Sequence, residues 1–264
     1  MMNLAYELRF TDKPDRFIEK SCRAPGQFRI LHHHQKRNIM KRSIVFTIVF
    51  TLIFMSGCLV SSLHPFYKPS DKYFDAAMVG SWIDGDSCIW TIVENRSSGY
   101  IMGPEKSDST YQITYFEEDN RKAVLTGTLF QLNRVSYVDF VPDPNEDHSS
   151  SDMTSFHLIP VHTLARVQYN KDSILMYWYG DEWLNELFEQ NRIRIKHETI
   201  DAPDYDRHVL TASTEELQKF IKKYANDPKT AQEIEQIFAN GSTDEQEEYG
   251  VFLKLKPYHG PLPE

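Results

Sequence analysis

The residues whose types and spacing could do chemistry are few and far apart. Cys58 ends the run Met55-Ser56-Gly57-Cys58, a thiol directly behind small residues. Asp143, Asn145 and Asp147 carry oxygen ligands on alternate positions, as the opening of a Ca²⁺ loop does. That pattern fails at His148, where the loop needs Gly, and at Thr154, where it needs Glu. The stretch therefore reads as a solvated loop, and no metal site is expected. His64, His148, His157, His162, His197, His208 and His259 include no pair at helical metal-binding spacing. His157 and His162 would face opposite sides of a regular strand. No Ser sits in a Gly-x-Ser-x-Gly turn, and no Gly-rich phosphate loop is present. Carboxylates abound, but none stands out as an acid/base couple. No catalytic residue is singled out and no cofactor is expected.

The element that positions Cys58 is the clearest in the chain. Lys41 and Arg42 precede an apolar run, Ile44 to Phe54, broken only by Thr47 and Thr51. Basic, apolar and small residues in that order are the layout of a secretory signal. The run is too short to cross a bilayer, which takes about 20 apolar residues. Met55-Ser56-Gly57-Cys58 resembles the lipobox of bacterial lipoproteins, with Met55 standing where Leu is usual. The resemblance implies a diacylglycerol on the Cys58 thiol, cleavage just before it and acylation of the new amino group. Two or more acyl chains make such anchoring stable, at about 0.8 kcal/mol per buried CH₂. Leu59, in place of an Asp, implies the outer membrane of the bacterial cell envelope.

These assignments divide the chain. Residues 1–39 are expected to be an upstream extension from a misassigned start, disordered, with Met40 as the true start. His32, His33 and His34 fall within it, so a metal-binding role for that run is set aside. Residues 40–57 are the signal peptide, 58–75 a lipidated tether, and 76–264 a single exported domain. Removing the ten Lys/Arg and four Asp/Glu of residues 1–57 from totals of 29 and 38 leaves 19 and 34, a net charge of −15. Such a surface disfavours nucleic acid and anionic headgroups. The expected partner is therefore the membrane, reached through acyl chains on Cys58. Of the three cysteines, Cys22 lies upstream and Cys58 takes lipid, so Cys88 reads as a buried inert thiol.

The exported part alternates like a sheet. Met78–Ile83, Ser87–Glu94, Tyr100–Met102, Thr110–Glu117, Ala123–Leu132, Val135–Val141, Phe156–Tyr169 and Ile174–Tyr179 read as strands joined by polar turns. Asp181–Gln190 reads as a helix, followed by strand-like pieces at Ile193–Thr199 and His208–Leu210. Ser213 with Glu216 three residues on forms a capping box for a second helix. Lys229–Phe238 makes a third, and Tyr249–Lys256 a last strand. The expected fold is α+β, mainly antiparallel strands in a barrel-like or sandwich sheet, with two or three helices near the C-terminus. Gly80-Ser81-Trp82 opens the first strand and resembles the Gly-x-Trp signature of lipocalin-like barrels. That resemblance implies a Trp closing one barrel end and one small apolar ligand inside, with Trp82 and Trp90 as candidate cavity residues. Leu210 to Gln218 resembles a stretch of uncharacterised bacterial lipoproteins, which implies no activity. The functional expectation is a non-enzymatic binding or assembly module of the envelope, taking a small apolar ligand or an envelope protein partner. The alternative is an envelope hydrolase whose catalytic residues are dispersed in sequence.

Overall fold

The computed structural model describes residues 59–97, 106–116, 121–143, 157–201, 206–242 and 249–263. The lipobox residues Met55, Ser56, Gly57 and Cys58, the upstream extension, the expected strand at Tyr100–Met102 and most of the acidic loop lie outside the described residues.

Eight antiparallel strands close a barrel: β2 (Gly80–Ile83), β3 (Ile89–Ser97), β4 (Lys106–Phe116), β5 (Lys122–Leu132), β6 (Val135–Pro142), β7 (His162–Asn170), β8 (Ser173–Tyr179) and β11 (Gly250–Pro257). Each pairs with the next along the chain, and β11 returns to β2 to complete the ring. Between β8 and β11 the chain inserts α1 (Asp181–Glu189), β9 (His197–Asp201), β10 (Asp206–Leu210), α2 (Thr214–Phe220) and α3 (Pro228–Asn240). The protein is thus α+β with a barrel sheet, and its helices form an insertion before the last strand.

Alternation decides which side chains fill the barrel. In β8, Ile174, Met176 and Trp178 join the interior core, while Leu175, Tyr177 and Tyr179 face the helices outside. That is why this strand is apolar on both sides. Trp183, Leu184 and Leu187 of α1, Leu217 and Phe220 of α2, and Ile234, Ile237 and Phe238 of α3 complete the outer core. Each fully buried large apolar side chain stabilises the fold by about 1.5–3 kcal/mol.

Local chemistry sets the ends of several elements. Asn133 and Arg134 link β5 to β6 with φ of 52° and 67°, the left-handed pair a two-residue hairpin needs. Ser213 accepts from Glu216 N and Glu216 reaches back to Ser213 N, the expected capping box. α2 then runs on as a π-helical turn, Ile221–Ala225. The first barrel strand begins at Gly80 and not at Met78, because Asp75 caps a 3-10 turn over Ala76–Met78. Residues 193–196 lie outside any strand, and β9 starts at His197.

The segment read as a tether is built into the fold from Leu59 onward. Leu59 bridges Gly180, and Val60 N donates to Tyr179 O at 2.9 Å. β1 (Ser61–Ser62) wedges between β7 and β10, antiparallel to the first and parallel to the second. Further on, Tyr73 N donates to Leu129 O at 3.1 Å, and Tyr73, Phe74 and Met78 pack into the barrel core. Cys88 is buried, as expected.

Candidate binding groove

The barrel bore is occupied by the protein's own rings. Trp82 and Trp90 are cross-strand partners and both are buried. Trp90 packs 4.6 Å from Tyr115 and 6.4 Å from Trp178, which in turn lies 5.2 Å from Phe140. Trp82 Nε1 donates to Met78 O at 3.1 Å and Trp90 Nε1 to Asp84 Oδ2 at 3.0 Å. Gly80 adopts φ +154°, a conformation that L side chains rarely take, as the chain swings Trp82 inward. These two residues therefore fill the interior in this structure.

A site takes shape on the outside, where one seam of the barrel opens. β6 and β7 share four register pairs, from Tyr137↔Arg166 to Phe140↔Thr163, against eight between β5 and β6. Beyond Tyr137 and Arg166 the strands part. A groove of about 530 Å³ opens there, lined by Asp75, Arg134, Val135, Ser136, Arg166, Val167, Gln168, Tyr169 and Glu235. Arg166 and Gln168 point outward because Ala165 and Val167 point inward. Glu235 reaches over them from α3. Its Oε1 accepts from Arg166 Nη2, and its Oε2 accepts from Gln168 Nε2 at 2.8 Å. The lead-in segment seals one side of the groove. Tyr169 OH donates to Asp75 Oδ2 at 2.9 Å, and Tyr73 OH lies 2.8 Å from Ser136 Oγ.

Arg166 is the unusual member. It is 5% exposed, and its Nε and Nη1 are buried without a hydrogen-bond partner. Behind it Tyr137 donates to Asn226 Oδ1 at 2.5 Å, and burial pushes the Tyr137 phenol up to about 12, so it stays neutral. Arg134 stands exposed at the opposite lip, with no hydrogen bond or ion pair among the described residues. The groove thus offers guanidinium, amide and hydroxyl donors. It holds no nucleophile set against a base.

The pair that hydrolysis would need lies elsewhere and is committed to structure. His162 Nδ1 lies 2.6 Å from Asp139 Oδ1, and Asp139 Oδ2 accepts from Phe66 N at 2.9 Å. Burial raises the Asp139 carboxyl, partly offset by the hydrogen bond from His162. Ser62 is the register partner of His162 across β1 and β7, so the three side chains share a face. Yet Ser62 is fully buried, and its hydroxyl donates to Leu210 O at 3.2 Å while accepting from His64 N. The cluster ties the lead-in segment to the barrel wall. Among the described residues no group of His, Cys, Asp or Glu could hold a metal ion.

A second, smaller groove of about 230 Å³ lies between residues 193–196 and α2. Arg194, Lys196, Lys219 and Lys223 rim a floor that includes Phe220 and Tyr224. Sequence reasoning missed both grooves, since each joins residues from separate elements. Comparison of the chain with family models, curated proteins and solved structures returned no match.

Proposed function

We propose that this is a lipid-anchored protein of the bacterial cell envelope, held in the outer membrane through acyl chains on Cys58, whose barrel domain binds or assembles and does no catalysis. One observation carries the reading. Leu59, the residue after Cys58, is already held by the fold: it bridges Gly180, and Val60 N donates to Tyr179 O at 2.9 Å. Cleavage before Cys58 would leave these contacts in place, and lipid on Cys58 would set the domain directly against the membrane without a spacer. Among the described residues no helix is long and apolar enough to cross a membrane. The barrel is in keeping with the lipocalin-like resemblance at Gly80-Ser81-Trp82. Because aromatic rings occupy the bore, the outer grooves are the binding surfaces this reading favours.

The test is metabolic labelling with radioactive palmitate. Label should enter the protein in cells and be abolished by Cys58→Ser; persistent labelling of that variant would sink the proposal.

A further inference from the structure

We propose that the groove at the β6–β7 seam binds the oxyanion group, carboxylate or phosphate, of a ligand on Arg166, and that Glu235 is an exchangeable internal occupant of that guanidinium. This deepens the reading of the domain as a binding module and does not depend on anchoring through Cys58.

The argument starts from the donors of Arg166. A guanidinium stays protonated and presents five N–H groups in a planar fork that suits two-oxygen acceptors. Here Glu235 supplies Arg166 with one oxygen, at Nη2, and gives the other to Gln168. Nε and Nη1 are buried and unspent. A buried cation left short of acceptors is an unfavourable state, and a single-oxygen contact uses little of the fork. Glu235 is half exposed on α3, so its carboxylate can rotate into water when another oxyanion takes its place. An incoming carboxylate or phosphate can bond two N–H groups at once.

The surroundings fit such a ligand. Arg134 adds a second guanidinium at the lip, and Ser136 and Gln168 add neutral donors on the walls. Asp75, the other acid of the groove, is already held by Tyr169. The chain as a whole is acidic, with a net charge of −9. With Glu235 in place the lining is formally neutral; once Glu235 turns out, Arg134 and Arg166 outnumber Asp75, and the recess then concentrates anions locally. The competing explanation is that Arg166 and Glu235 merely fasten α3 to the barrel.

Isothermal titration calorimetry of the purified full chain with inorganic phosphate and with succinate distinguishes the two. At least one probe should bind saturably. Glu235→Ala should tighten that binding about tenfold, because it removes a competitor that fills the site most of the time. Arg134→Ala should weaken it about threefold, as an exposed charge does, with an unchanged melting temperature. Phosphatidylglycerol vesicles, set against phosphatidylcholine vesicles, separate the sources. Binding to the anionic vesicles but to neither free probe assigns the oxyanion to a lipid headgroup, while binding to a free probe alone assigns it to a soluble ligand. No binding by any probe to the wild type or to Glu235→Ala overturns the proposal. So does weaker binding by Glu235→Ala with a lowered melting temperature, which would leave a structural clasp. Neither failure touches the palmitate test.

Discussion

Asp181 stands in the first turn of α1, where the chain leaves β8, and its environment pulls in two directions. A helix N-terminus favours a carboxylate, but Asp181 is 5% exposed. Burial wins and pushes its carboxyl up to about 6, partly offset by the nearby backbone of His208 and the charge of Arg207. The folded state therefore holds this proton more tightly than the unfolded chain does. The contribution to stability is full below about pH 4 and is lost as pH rises to about 6. Asp181→Asn removes the penalty, worth about 1–2 kcal/mol after solvent screening. Thermal melts should show little change at pH 4 and a gain at pH 7 of about 2–4 °C per kcal/mol. An equal shift at both pH values would refute the assignment. Nothing beside Asp181 in the sequence marks it as buried. The same is true of Asp139, whose partner His162 lies 23 positions away, and of Arg166, 69 positions from Glu235.

At the level of elements, local rules carried much further. The capping box at Ser213 was legible because its two hydrogen bonds join residues three apart. Ser213→Ala should cost about 1 kcal/mol, read as a lower urea midpoint with an unchanged denaturant slope; an unaltered midpoint would show that packing alone holds the helix start. The β5–β6 hairpin was legible from two alternating runs around Asn133-Arg134, and its register bears this out, from Leu132↔Val135 to Leu125↔Pro142. Reading failed where a side chain or a neighbour overrode the pattern. Asp75 turns Ala76–Met78 into a 3-10 turn, and β1 exists only because β7 and β10 flank it. Two residues carry no periodicity of their own.

Across the whole molecule, the barrel and the helical layer share a wall. Phe130, Tyr137, Tyr177 and Tyr179 face the helices from strands whose other faces fill the bore. Neither layer can be lost without exposing the other, which predicts a single cooperative transition. Three of the four tryptophans, Trp82, Trp90 and Trp178, lie in the bore, and Trp183 lies under the helices. In Trp183→Phe, fluorescence reports the bore and far-UV circular dichroism near 222 nm reports the helices. The two signals should share one midpoint in urea, and midpoints set apart would show two independent units.

The sequence by itself determined the strand and helix content, the direction in which each strand turns its side chains, and the hairpin and helix-capping signals. It also supplied the lipobox-like run ending at Cys58. All of these are written in residues a few positions apart, where dihedral preference and alternation act. Tertiary structure alone decided that the sheet closes, that the helices are an insertion ahead of the closing strand, and that the bore is filled with aromatic rings. It also decided where the β6–β7 seam opens and which acid meets Arg166 there. Those outcomes depend on contacts between distant residues, and such contacts form only when strand twist and core packing bring separate elements together.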